Sequence, residues 1–122
     1  MKSKIARLGT AEHILVRILV NEYAAVPCTF QFIDDNTIEI DLGESFSIND
    51  SNNLEDKVNK IIDKNIEVKK YYVDNTIVVD IIGFDKKPCK YPHVYNTCEI
   101  GKFKIIKWNN KDGRFRLNFD VE

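Results

Sequence analysis

The sequence predicts an α+β fold, a largely antiparallel sheet with two main helices packed on it. Three observations carry that prediction. Apolar residues recur at helical spacing in two stretches, apolar and polar residues alternate in several short ones, and turn residues separate most neighbouring stretches. The resulting order, αββαββ followed by ββ, makes hairpins the dominant connection, and hairpins build antiparallel sheets.

The first helix spans Thr10 to Tyr23, where Ala11, Ile14, Leu15, Ile18 and Leu19 form one face and Thr10 is its predicted N-cap. His13 and Arg17 flank that face, one turn apart. Pro27 bars continuation of the helix. Cys28 to Phe32 and Thr37 to Leu42 then alternate as strands around Asp34-Asp35-Asn36. The Ser/Asn/Asp-rich stretch from Ser45 to Asn53 supplies turn and capping residues for a second helix. Its inward face is Leu54, Val58, Ile61 and Ile62, and it ends near Asn65. Ile66 to Val73 and Thr76 to Ile82 form a strand pair joined at Asp74-Asn75, and Gly83 to His93, with Pro88 and Pro92, reads as a loop. A last hairpin pairs Phe103–Trp108 with Arg114–Phe119 around Asn109 to Gly113.

A length of 122 residues with 43% hydrophobic content fits one domain, 1–122. The longest apolar runs, Ile14 to Val20 and Thr76 to Gly83, fall well short of the ~20 residues a membrane-crossing helix needs. No apolar run of secretory length follows the basic residues at the start, so a soluble cytoplasmic protein is expected. Cys28, Cys89 and Cys98 are odd in number, which favours free thiols or metal ligands over bridges. Net charge is −1, but nine Lys or Arg lie between Lys86 and Arg116 against only Glu99 and Asp112. Such a segment can face a phosphate backbone; equally, its charges can be the outward positions of solvated strands.

The chain has two histidines, and His93 lies four residues after Cys89. A thiolate and an imidazole at that spacing can reach one ion, with His13 as a third ligand if its helix packs beside the loop. Alone, Cys-x-x-x-His is a weak signal, and incidental placement is the better reading of it, because zinc sites need more ligands at defined spacings.

The longer string alters this. Cys89-Lys90-Tyr91-Pro92-His93 runs through Thr97-Cys98-Glu99-Ile100-Gly101 into Phe103-Lys104-Ile105. It closely resembles the C-terminal zinc motif of the alanyl-tRNA synthetase editing family, in which Cys-x-x-x-His precedes Thr-Gly-Glu-Ile-Gly and a Phe-Lys-Ile-type strand. Thr10-Ala11-Glu12-His13-Ile14-Leu15 resembles the family's first-helix motif, His-Thr/Ser-Ala-x-His-Leu-Leu. The two motifs occur in the family's order and, with a hairpin and helix between them, cover nearly the whole chain. Three departures stand out: Gly9 occupies the place of the first helical histidine, Cys98 that of a glycine, and the Asp74-Asn75 link replaces a much longer segment.

The resemblance implies a zinc-dependent deacylase acting in trans, which hydrolyses the ester between a wrong amino acid, serine or glycine, and alanine tRNA. It implies Zn²⁺ held by His13, Cys89 and His93, weakened by the loss of a ligand at Gly9. The ion can orient the aminoacyl group or activate water. Substrate contacts fall to Thr29, Gln31, Thr97 and Gly101, and Glu99 is expected as a structural acceptor rather than a general base. Lys86, Lys87, Lys90, Lys102 and Lys104 are expected to hold the tRNA acceptor end through phosphates. The competing readings are a degenerate relative that binds tRNA or an aminoacyl group without hydrolysis, and a plain interaction domain.

Overall fold

In the computed structural model, residues 3–23, 25, 31–34, 36–41, 48–111 and 114–122 are described; for 31, 32, 40, 41, 48–51, 110 and 111 this covers the backbone alone. Helix α1 runs Lys4–Glu22, followed by strands β1 (Gln31–Asp34) and β2 (Thr37–Asp41) and helix α2 (Ile48–Asp63). Strands β3 (Val68–Val73), β4 (Thr76–Ile81) and β5 (Asp85–Pro88) come next. A short 3₁₀ turn (Thr97–Ile100) leads into β6 (Phe103–Lys111) and β7 (Arg114–Val121). The α+β expectation holds, with the strands divided into two antiparallel sheets ordered β1-β2-β7-β6 and β3-β4-β5. Among the described residues, no helix is long and apolar enough to cross a membrane.

Helix α1 begins six residues earlier than its predicted start. The apolar face continues backward through Leu8 and Ala6, both buried, and Ser3 caps the helix by accepting the Ala6 N–H at 3.2 Å. Thr10 is therefore an interior residue, not a cap. Its hydroxyl back-bonds to the Ala6 carbonyl at 3.0 Å, as a mid-helix threonine can. Helix α2 buries Leu54, Val58 and Ile62 as expected and terminates near Asn65, whose φ of 50° closes it in the left-handed region. Asn59 fastens it to β6: its amide donates to the Phe103 carbonyl and accepts the Phe103 N–H, both at 2.9 Å.

The stretch predicted as a loop from Gly83 to His93 contains β5, an edge strand paired with β4 from Val78↔Pro88 to Ile81↔Asp85. Two lysines and a proline concealed it in the sequence. An edge strand tolerates a proline at its end and gains from lysines that discourage further pairing. The β3–β4 turn places Asp74 and Asn75 at φ of 48° and 69°, which is the two-residue connection matched to strand twist.

The interior draws on both helices and both sheets. Strand β7 alternates strictly, burying Phe115, Leu117, Phe119 and Val121. Phe103 and Phe119 stack at 5.4 Å between centroids, and α1 presses Ile14, Leu15 and Leu19 into the same core. Burying these residues fixes the rotation of α1. The helix consequently offers Gly9, Glu12 and His13 to β5 and to the segment after it.

Candidate metal centre and cleft

His13, Cys89 and His93 converge. Their donor atoms all lie within 4.8 Å of one another, and His93 Nε2 is 3.2 Å from Cys89 Sγ. The two imidazoles meet edge to face with centroids 4.6 Å apart. Among the described residues this is the only cluster of three or more such groups able to hold a metal ion. Donors around a tetrahedral zinc ion are about 3.3–3.8 Å apart, given bonds of about 2.0–2.3 Å. The His93–Cys89 pair, at 3.2 Å, is slightly closer than that.

Each imidazole has its other nitrogen engaged. His93 Nδ1 lies 3.0 Å from Thr10 Oγ1, which also accepts the Val94 N–H at 3.0 Å. With the Thr10 hydrogen directed to the Ala6 carbonyl, His93 donates from Nδ1 and its Nε2 is left bare toward the cluster. His13 Nδ1 faces Asp85 Oδ2 at 3.4 Å; both atoms are buried, and among the described residues neither has another partner. The other carboxylate oxygen, Oδ1, accepts Arg17 Nε at 2.8 Å and Nη2 at 2.7 Å. A carboxylate behind one imidazole and a hydroxyl behind the other are partners that fix tautomer and ring orientation in metal sites.

The electrostatics follow from burial and from these partners. Burial opposes a charge on His13, but the bonds to Asp85 and Cys89 outweigh it and raise its pKa to about 9. Burial, together with the charge of His13, depresses His93 to about 3. Burial also works against the Cys89 thiolate, yet the bonds from His13 and the Tyr91 backbone pull its pKa below the ordinary thiol value. Without a metal, one imidazolium is thus held between a carboxylate and an acidified thiol, beside a neutral imidazole. Glu12, buried next to His13, is pushed up to about 7 by desolvation. Asp85 is drawn down against its burial by His13, Lys87 and Arg17.

The cluster forms the floor of a cleft of about 890 Å³, within the range of small-molecule sites. Its walls come from α1 (Ile5, Gly9, Glu12), the β1–β2 hairpin (Ile33, Asp34), the β3–β4 hairpin (Tyr72, Ile77) and the segment from Lys87 to Tyr91. Gly9 sits directly over His93: a Cβ built there would lie 3.2 Å from the Pro92 carbonyl oxygen and 3.7 Å from His93 Cε1. The position from which a fourth ligand would reach the cluster is therefore backbone alone.

The other residues singled out in the sequence are scattered. Thr29 lies outside the described residues, and of Gln31 only the backbone is described, paired with Glu39. Thr97 is fully buried, its hydroxyl accepting the Ile66 N–H at 2.8 Å and donating to the Ile62 carbonyl at 3.0 Å. It joins the end of α2 to the 3₁₀ turn and does not line the cleft. Gly101 has φ of 86° and abuts the Glu122 carbonyl. Glu99 accepts the Tyr95 N–H at 3.0 Å, a structural role. Cys98 lies in the 3₁₀ turn with its thiol 3.4 Å from the Ile62 carbonyl, away from the three donors.

The positive segment of the sequence does not stay together. Lys87 and Lys90 line the cleft, while Lys86 points away on β5, 5.7 Å above the Tyr71 ring. Lys102 and Lys104 lie at the start of β6 in the other sheet, where Lys104 pairs with Glu122 at 2.6 Å. Arg114 and Arg116 both bond Glu39. Sequence reasoning missed Asp85 and Glu12. Arg17, one turn beyond His13, was the available signal for a buried acid, but nothing local marks Asp85, 68 residues away.

Residues 77–118 match the family described as the threonyl and alanyl tRNA synthetase second additional domain. The chain is 28% identical over 141 residues to an alanine–tRNA ligase of Staphylothermus marinus, covering 95% of this chain and 16% of that protein. It is 27% identical over 145 residues to the alanyl-tRNA editing protein AlaX-M of Saccharolobus solfataricus, covering 98% of this chain and 59% of that relative. The chain therefore spans only part of the length of both relatives. The matched residues contain the Cys89 to Ile105 motif, and over nearly its whole length the chain is similar to an alanine–tRNA ligase and to an alanyl-tRNA editing protein, which supports a relationship to the alanyl-tRNA synthetase editing-domain family.

Proposed function

We propose that the chain is an aminoacyl-tRNA deacylase acting in trans, which removes serine or glycine from mischarged alanine tRNA with a zinc ion held by His13, Cys89 and His93. The supporting observation is the convergence of three donors within 4.8 Å on the floor of the cleft, in a chain related to an alanyl-tRNA editing protein. Bound there, zinc supplies a positive charge that polarises an ester carbonyl or acidifies a water molecule. In the reaction, water adds to the ester carbonyl and the bond to the ribose oxygen breaks. The products are a free amino acid and a ribose hydroxyl.

The chain's own groups divide the remaining work. Asp85 and Thr10 hold the two imidazoles, and the apolar walls keep the aminoacyl end from bulk water. Glu12, titrating near neutrality, can exchange a proton at the floor. Lys87 and Lys90 face the phosphates of the acceptor end.

The test is zinc content and deacylation of seryl- and glycyl-tRNA for the native protein and for Cys89→Ala. Near-stoichiometric zinc and turnover, both lost in the variant, are expected. Turnover that survives in Cys89→Ala would refute the metal-dependent reaction. One observation favours a second reading, a binding relative without hydrolysis: Gly9 contributes no side chain where a fourth ligand would start. That reading is established if the native protein binds tRNA and releases no amino acid.

A further inference from the structure

Exposed apolar side chains on this molecule are unevenly placed. Eight large ones are exposed among the described residues, and four of them, Ile5, Ile33, Tyr72 and Tyr91, line the cleft. Tyr72 is 73% and Tyr91 71% exposed, so neither ring serves the core. Isolated exposed apolar residues are ordinary, whereas several grouped around one concave site indicate a ligand.

The local structure explains why the two tyrosines share that rim. On β3, Val68, Lys70 and Tyr72 lie on one face. Val68 enters the core, and Tyr72, four residues on, emerges into the cleft wall. Lys70, between them, reaches across to the carbonyls of Tyr91 at 3.1 Å and Lys90 at 3.5 Å. That contact ties the Lys90-Tyr91 segment beside β3. The rim thus combines two flat rings with Lys87 and Lys90 of the same cleft. Of the two acids that line it, Asp34 accepts the Asn36 N–H at 3.0 Å within its own turn, and Glu12 is buried at the floor.

We propose that Tyr72 and Tyr91 are stacking platforms for unpaired nucleobases of the RNA strand whose 3′ end enters the cleft, with Lys87 and Lys90 on its phosphates. Aromatic rings interleaved with cations are the means by which single strands are held: every base has a π-face, and the phosphates supply the charge. A purely apolar protein partner would leave the lysines uncompensated. The proposal rests on the tRNA-directed reading above but not on hydrolysis.

The experiment measures binding of the full chain to a labelled single-stranded RNA ending in CCA, and to a strand of equal length and charge without bases. Tyr72→Ala and Tyr91→Ala are each expected to weaken RNA binding about tenfold and to leave the abasic strand unaffected. Tyr→Phe variants should bind as the native protein does. Because both rings are exposed, unfolding temperatures should not change. Alanine variants that bind RNA as well as the native chain, or that lose RNA and abasic strand equally, would overturn the proposal. So would a native chain that binds neither strand. Tyrosine-dependent binding without hydrolysis would refute the deacylase and uphold the platforms, whereas hydrolysis with tyrosine-independent binding would overturn the platforms alone.

Discussion

Replacing Asp85 by Asn removes one charge, and almost none of the shape, from a side chain that is 0% exposed and serves two partners. One oxygen faces His13 Nδ1 at 3.4 Å and the other accepts two bonds from Arg17. Carboxylates behind a metal-bound imidazole contribute about 10- to 100-fold in metal affinity, or roughly 1.4–2.7 kcal/mol. The loss on the Arg17 side adds to folding rather than to binding. Because the Arg17 side chain is 31% exposed, water takes up part of its charge, and about 1–3 kcal/mol of stability is at stake instead of the larger cost of a fully buried orphan. The third consequence concerns titration. The folded pKa of His13, about 9, lies above its unfolded value of 6.5. The metal-free protein therefore gains stability from His13 below the unfolded value and loses it as pH rises toward 9. In Asp85→Asn the principal group holding that proton is neutral, so the window should shrink. The assays are zinc competition against a chromogenic chelator, urea unfolding, and an NMR titration of His13. Arg17→Gln is the control, because it breaks the ion pair and spares the His13 contact; it should cost stability with little effect on zinc. If Asp85→Asn keeps zinc affinity within about twofold and His13 titrates as before, Asp85 does not position His13.

Zinc uptake should displace the proton that His13 retains near neutrality, so affinity should climb as pH rises toward 9; calorimetry in two buffers of different ionisation enthalpy reads the released proton directly, and its absence would contradict a protonated His13 in the metal-free protein. Gly9→His should retain zinc more firmly against a chelator, since its Cβ would point at His93 with only the Pro92 carbonyl to yield by a few tenths of an ångström; a loss of zinc in that variant would mean the Pro92 segment cannot give way. Gly101→Ala should be severely destabilised, by about 3 kcal/mol or more, because φ is 86° and the new methyl would overlap the Glu122 carbonyl oxygen. An unchanged unfolding midpoint would show that the close approach is absent in solution.

Periodicity alone delivered most of the secondary structure, because burial of one face is a local, repeating demand. Leu54, Val58 and Ile62 announced α2, and Phe115, Leu117 and Phe119 announced β7. It failed where the local signal was mixed. Gly9 and Thr10 resemble a helix start, although the buried face continues back to Ala6, and β5 is mostly lysine and proline because edge strands are built that way. The pairing of β2 with β7, which joins residues some eighty positions apart, leaves no trace in either strand's pattern.

At the site, the donors were legible in the chain's residues before any fold was known. The two motifs contain four side chains with the chemistry for a soft cation, His13, Cys89, His93 and Cys98; the resemblance singled out the first three, and Gly9 marked the missing fourth ligand. How those donors are held, and what surrounds them, came from packing. Asp85 reaches His13 because β5 pairs with β4 and lies against α1. Thr10 turns from an imagined cap into the partner of His93 because its helix starts at Lys4. The apparent basic face divides because Lys86 and Lys87 alternate across one strand, while Lys102 and Lys104 lie with the other sheet. Residue type is a property of single positions and survives in the sequence. Orientation and partnership arise from long-range packing, which no local pattern encodes.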